Sequence, residues 1–416
     1  MVVISKTFSI PQFYDSHAIA PLKDLVFLDI ETTGLTPATS SIYLIGAVYH
    51  QQMEWHIRQW FSDSLNSEQE ILEDFFSFIK NYQVVVSFNG ETFDIPFLKK
   101  CAAAYGLNTD ALDNIRSFDL YHHLRPVKTL LQLENLKLAT LESYLNISRL
   151  DQATGKEMIA VYHDYLETGD KRLYQVLLLH NEDDLKALPQ IMPLLSYLDI
   201  FRSEWTLAGY SLSTASSSLT IVVDCSVKVP VAVTRELPLC RLSIRANQII
   251  IEIRAFVGEL KYFFDNYKDY YYLPDEDRAV HKKVGQYVDP EHRVQASAST
   301  CYTKKSSTFL PLSHEDMFDL YKEEYSSKQL FTEYIADPDF ILAYAHNVLE
   351  DALRCAVPVP SEERRKHRRN YFLEPLALIK RPGSFFYPVF LNSLYLMYFL
   401  RIIPDPHHLQ EPSCSG

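Results

Sequence analysis

Residues 26–35 read Val-Phe-Leu-Asp-Ile-Glu-Thr-Thr-Gly-Leu, a run that opens as a buried strand and then places two carboxylates with one residue between them. Strand side chains alternate faces, so Asp29 and Glu31 project together while Leu28 and Ile30 point the other way. Adjacent carboxylates repel. At the end of an isolated strand they are simply hydrated. In company with further oxygen donors they form half of a site for a hard divalent cation, which removes the repulsion. The pair therefore demands a strand, a turn at Thr33-Gly34, and partners from elsewhere in the chain.

The surrounding pattern supplies a scaffold. Three strands are expected in succession, Leu25–Ile30, Ser41–His50 and Glu54–Phe61, joined by short polar turns as an antiparallel meander. A helix follows over residues 66–82, with Ser67 and Glu70 spaced as a capping box and Ile71, Leu72, Phe75, Phe76 and Ile79 on one side. Gln83–Phe88 is a buried strand, Asn89-Gly90 a turn, and the next helix stops at Gly106. Residues 134–198 read as helical throughout. Strands, then alternating helices and strands, then helices make an α/β fold with a mixed sheet of the ribonuclease-H-like order.

Three divisions are expected: residues 1–200 as this ribonuclease-H-like unit, 201–355 as a β-rich accessory (α+β) region of short alternating runs, and 356–416 as a basic, then apolar tail. Helices are expected near 314–355. Tyr267, Tyr270, Tyr271 and Tyr272 beside Lys261, Lys268, Lys282 and Lys283 fit either a stacking surface for single strands or half-buried packing. In the tail, Pro388, Asn392 and Ser393 interrupt an apolar stretch shorter than the ~20 residues a membrane helix needs, which argues against membrane anchoring.

Charge bears on partners. Residues 1–200 hold 15 Lys and Arg against 26 Asp and Glu, leaving 25 against 27 for the rest of a chain of net charge −13. A nonspecific polycationic grip on nucleic acid is excluded. Six cysteines occur without a C-x-x-C pair, and the first residues lack the features of a secretory signal, so a reducing, cytoplasmic setting is expected.

Further oxygen donors lie at element ends. Asp94 follows the Asn89-Gly90 turn. His180, Asp183 and Asp184 fall late in the helical region, with His180 and Asp184 four apart on one helix face and Asp183 about 100° round from Asp184. Asp184 is the better-placed ligand of the two. Asp119 suits a helix cap or a supporting role, and His122 and His123 have no acidic partner at ligand spacing.

The segments Asp29–Leu35, Asn89–Asp94 and His180–Leu188 resemble the three exonuclease motifs of the DEDD, or DnaQ-like, 3′-5′ exonuclease superfamily. With Asp119–Pro126, Leu145–Gly155 and Tyr162–Asp170 included, residues 20–200 are similar to the YprB-type ribonuclease-H-like group. The resemblance implies a 3′-5′ exonuclease acting on the 3′ end of single-stranded DNA or RNA with two Mg2+ or Mn2+ ions and no small-molecule cofactor. Asp29, Glu31, Asp94 and Asp184 would be the metal carboxylates and His180 the general base. Thr32, Thr33 and Gly34 would lie beside the terminal nucleotide and Asn89 near its phosphate. The base is a histidine, while its interval to Asp184 is the one usual for the tyrosine branch of the superfamily. The alternative is a nucleic-acid-binding or scaffolding protein that keeps the fold with little turnover.

Overall fold

The computed structural model describes residues 1–356 except 11, 12, 65, 152 and 315–317. The basic and apolar tail lies outside the described residues. Among them no helix is long and apolar enough to cross a membrane.

The first sheet has six strands: β1 (Val2–Phe8), β2 (Leu25–Thr32), β3 (Ile42–Gln51), β4 (Glu54–Phe61), β5 (Val84–Ser87) and β6 (Arg116–Asp119). Their spatial order is β1-β4-β3-β2-β5-β6. The expected meander is the antiparallel set β2-β3-β4, and β5 and β6 extend it in parallel. Strand β1 was not anticipated: its alternation is weak, and its register comes from pairing with β4, Val2 opposite Phe61 through Phe8 opposite Trp55.

Helices cover both faces. On one, Val26, Leu28 and Ile30 pack with α1 (Glu68–Ile79) and α2 (Asp94–Ala104). The short α3 (Asp110–Asn114) adds Leu112 to the same cluster. On the other, Leu25 and Phe27 join a core that includes α4 (Leu120–Leu131), α5 (Leu138–Tyr144) and the 21-residue α7 (Lys171–Ile191). Helix α6 (Gly155–Thr168) stacks Tyr162 on Tyr43 at a ring separation of 4.3 Å. Asp29 and Glu31 continue the Leu25–Phe27 face, directly under α7.

The expected capping box at Ser67 and Glu70 does not form. Ser67 has helical rather than extended backbone, at φ −88° and ψ −2°, and its hydroxyl, which donates to Asp63 at 2.9 Å, makes no cap bond. The capping box of this region belongs to Thr154 and Glu157 at the start of α6.

After α8 (Ser196–Arg202), five antiparallel strands, β7 (Trp205–Ser213), β8 (Ser218–Cys225), β9 (Val233–Glu236), β10 (Cys240–Arg245) and β11 (Gln248–Arg254), run in the order β7-β8-β11-β10-β9. Alternation is strict on β8 and β11: Leu219, Ile221 and Val223, with Ile249, Ile251 and Ile253, are all fully buried. Strand β12 (Phe256–Phe263) then enters a small closed barrel with three later strands, and the Tyr-rich segment forms a separate three-stranded sheet. The helices expected near 314–355 are in part strands, Tyr321–Lys322 and Leu330–Glu333, and helix begins only at Pro338. That last helix buries Ile341, Tyr344 and Val348 in the same core as Leu25 and Phe27.

The tyrosine cluster is engaged internally. Tyr270 stacks on Phe264, Tyr272 donates its hydroxyl to Asp277 at 2.6 Å, and Lys282 and Arg293 lie over the Tyr271 ring.

Candidate active site

The C-terminal end of β2 and the middle of α7 face each other across a cleft of about 650 Å3. Asp29, Glu31, Asn89, Asp94, His180 and Asp184 line it, together with Phe88, Phe93, Arg149 and Asp151. The close approach of α7 to the sheet depends on a missing side chain. Gly46 sits opposite Asp29 on β3, and a Cβ there would stand 2.3 Å from both Asn181 Oδ1 and Leu185 Cδ1.

Through that gap runs a buried polar relay. Gln59 Nε2 donates to Asn181 Oδ1 at 2.9 Å, and Asn181 Nδ2 donates to Asp29 Oδ2 at 2.7 Å. Asn181, wholly buried, thus has its amide orientation set from β4 and holds one carboxylate of the pair in place. Asp94 is the first residue of α2 and accepts the Ile30 backbone N–H at 3.1 Å, which ties it to the same strand end. Gly90 allows that approach, since a Cβ there would meet Ser87 Oγ at 2.4 Å and Asp94 Oδ2 at 3.3 Å.

On α7, Asp183 and Asp184 divide as their helical angles predict. Asp183 Oδ2 accepts the backbone N–H groups of Leu150 and Asp151, each at 2.8 Å. Asp184 points into the cleft, where Arg149 Nη1 lies 2.5 Å from its Oδ1. His180 is held from behind: its Nδ1 is 2.5 Å from Asp151 Oδ2, while Nε2 faces Glu31 Oε1 at 3.5 Å and Asp184 Oδ2 at 4.0 Å.

Electrostatically the cleft is overloaded with negative charge. Burial pushes the Glu31 carboxyl up to about 7, with Asp184 and Asp94 adding to the shift and His180 opposing it. Burial also lifts Asp94 to about 7 against the backbone N–H bonds that favour its ionised form. Asp29 keeps an edge open to the cleft but is enclosed on its other sides. Desolvation and then Asp184, Glu31 and Asp94 raise it well above the ordinary aspartate value. Such a set suits a cation: hard oxygen donors, destabilised as bare anions, with Glu31, His180 and Asp184 each bringing one donor atom within 4.8 Å of the others.

Asn89 lines the cleft at φ +66°, its N–H donating to Asp119 at 2.8 Å. Thr32, Thr33 and Gly34 instead close the turn after β2. The Thr32 hydroxyl donates to Gly34 O and the Thr33 hydroxyl accepts from Ser41 N, and none of the three is among the residues around the cleft. Asp119 caps α4 through the Tyr121 N–H and braces the 89–91 turn. His122 has two acidic neighbours: Asp119, three residues before it, at 3.8 Å, and Glu91, brought up by the 89–91 turn, at 3.4 Å. Sequence reasoning missed Arg149 and Asp151, whose signal was confined to the Leu145–Gly155 resemblance.

Residues 26–196 match the sequence model of a family described as the RNase_H superfamily. The fold of this part of the chain is ribonuclease-H-like. Solved structures similar to the chain include the family B DNA polymerase from the hyperthermophilic archaeon Pyrobaculum calidifontis, at 16% identity and a TM-score of 0.34. That match covers 42% of this chain, which spans about a quarter of the polymerase, 25% of its length. No curated protein matches the chain. The ribonuclease-H-like region thus contains every acid of the cleft, from Asp29 to Asp184, and the histidine between them in space.

Proposed function

We propose that the chain is a metal-dependent nuclease of the 3′-5′ exonuclease type, hydrolysing phosphodiester bonds at the 3′ end of single-stranded DNA or RNA. The observation that carries this reading is the convergence of Asp29, Glu31, Asp94 and Asp184 on one cleft that also holds a histidine backed by a carboxylate. Two Mg2+ or Mn2+ ions, held by the four acids, would supply water activation and stabilisation of the leaving 3′ oxygen.

The chain's own residues do the rest. Asn181 and the Ile30 N–H fix the two acids whose positions set the geometry, Asp29 and Asp94. Asp151 holds the His180 ring so that Nε2 faces the cleft and accepts the proton of the attacking water. Phe88 and Phe93 offer apolar faces on which a terminal base can stack. Residues 201–355 would present the single strand, with Tyr271, Lys282 and Arg293 as the side chains to test.

The deciding experiment is cleavage of 5′-labelled single-stranded DNA and RNA of matched sequence, with Mg2+ or Mn2+ and with chelator, by wild type and Asp29→Ala. Stepwise shortening from the 3′ end that requires metal and disappears in the variant supports the proposal and selects the substrate. Binding without cleavage by folded protein replaces it with a nucleic-acid-binding protein on the same fold.

A further inference from the structure

An anionic backbone has to enter a cleft walled by Asp29, Glu31, Asp94, Asp151 and Asp184, and a single Lys or Arg, Arg149, is found among the described residues lining it. Its place is built. Asp183 gathers the N–H groups of Leu150 and Asp151 onto one oxygen, so residues 149 and 151 turn inward while Leu150, 78% exposed, turns out. Arg149 Nε donates to the Asp151 carbonyl at 2.9 Å, which fixes the plane of the guanidinium. Nη1 then takes Asp184 and, at 3.5 Å, Glu142, and Nη2 stands 3.8 Å from the Asp151 carboxylate, beyond hydrogen-bond reach. Burial works against this charge and the three acids outweigh it, so the guanidinium remains protonated.

Held this way, the fork keeps Nη2 available beside the acids, a charged donor with two N–H groups to offer a phosphate oxygen. We propose that Arg149 binds the phosphodiester at the reacting position, as the positive group that admits the backbone among the carboxylates. This rests on the nuclease reading of the same cleft. Arg149 also serves as the internal counter-charge of Asp184, so a test must separate phosphate recognition from support of the fold.

The full chain is titrated, with Ca2+ in place of Mg2+, against two 5′-fluorescent single-stranded oligonucleotides. One carries an ordinary terminal phosphodiester and the other an uncharged methylphosphonate at that linkage. Wild type should bind the first about 10–100-fold more tightly, the range of a charge-assisted hydrogen bond. Arg149→Ala should narrow the ratio to what the Ca2+ ions alone supply, and Arg149→Lys should regain part of the difference. The readout is a ratio within each variant, so partial unfolding does not alter it. A variant that loses affinity equally for both oligonucleotides, leaving the ratio at its wild-type value, overturns the assignment and makes Arg149 a support for the loop. Wild type that shows the ratio but does not cut with Mg2+ or Mn2+ keeps the assignment and overturns the nuclease. Wild type that binds neither overturns both.

Discussion

The carboxylate of Asp151 lies 2.5 Å from Nδ1 of His180, across the ring from the Nε2 that faces Glu31. Such a contact selects the tautomer with the proton on Nδ1 and leaves Nε2 as the acceptor. Asp151→Asn keeps the size and removes the charge that holds the ring. The expected result is a kcat lower by about 10–100-fold, the usual effect of losing a group that orients a functional histidine, with little change in KM or melting temperature. Steady-state cleavage of a labelled oligonucleotide measures it, and an unchanged kcat would reduce Asp151 to a packing role.

Gly46 supports a second expectation. A methyl group there collides at 2.3 Å with Asn181 Oδ1 and Leu185 Cδ1, the ends of two fully buried side chains between α7 and the sheet. Gly46→Ala should destabilise the fold by about 1–3 kcal/mol, the cost of overpacking a close-packed contact. It should also weaken the stabilisation that Mg2+ or Mn2+ gives, because Asn181 would move off Asp29. Urea denaturation with and without metal reports both effects, and a neutral substitution would show that the helix has room to shift.

The sequence was informative where periodicity is local. The β2-β3-β4 meander, the buried β5 and the one-turn interval between His180 and Asp184 all follow from spacing within one element. What it hid depends on distant atoms. Arg149 and Asp151 sit in a loop without periodicity, and their inward direction is set by Asp183, 33 and 32 positions away from the residues it holds. Strand β1 exists through pairing across the sheet with β4. Ser67 and Glu70 have the spacing of a capping box, but Ser67 takes up helical rather than extended backbone and makes no cap bond. Of the partners of His122, Asp119 stands three residues before it in the chain, while Glu91 arrives only through the turn that Asp119 braces.

The raised acids make the metal-free protein sensitive to pH in a defined direction. Glu31 and Asp94 move from ordinary values of 4.5 and 3.8 to about 7, so the folded state holds their protons more tightly than the unfolded chain does. That contribution to stability is complete below the unfolded values near 4 and is lost as pH rises through 7. With chelator, the melting temperature should therefore fall between pH 5 and 8. Mg2+ or Mn2+ should offset the fall, since binding takes up the ionised carboxylates and releases protons. Thermal scans of wild type and Glu31→Gln test this. A wild-type slope equal to that of the variant would remove Glu31 as a source.

Adjacent residues on α7 should respond to substitution with opposite signs. Asp184 faces Arg149 but also adds repulsion to Asp29 and Glu31, which share the cleft. Glu142 and Asp151 remain beside Arg149 when Asp184 becomes Asn. Metal-free Asp184→Asn is therefore expected to melt no lower than wild type, while its stabilisation by Mg2+ or Mn2+ and its cleavage activity are lost. Asp183 is buried and holds two backbone N–H groups of the 149–151 loop. Asp183→Ala leaves those donors without their acceptor, at a cost of about 1–3 kcal/mol, and releases Arg149 and Asp151 from the cleft. It should melt lower with or without metal and lose activity through misplacement of that loop, yet retain a metal-induced shift because the four cleft acids are intact. Calorimetric scans of both variants, with chelator and with metal, separate the two. If the metal-induced shift disappears in Asp183→Ala and survives in Asp184→Asn, the ligand on this helix is Asp183.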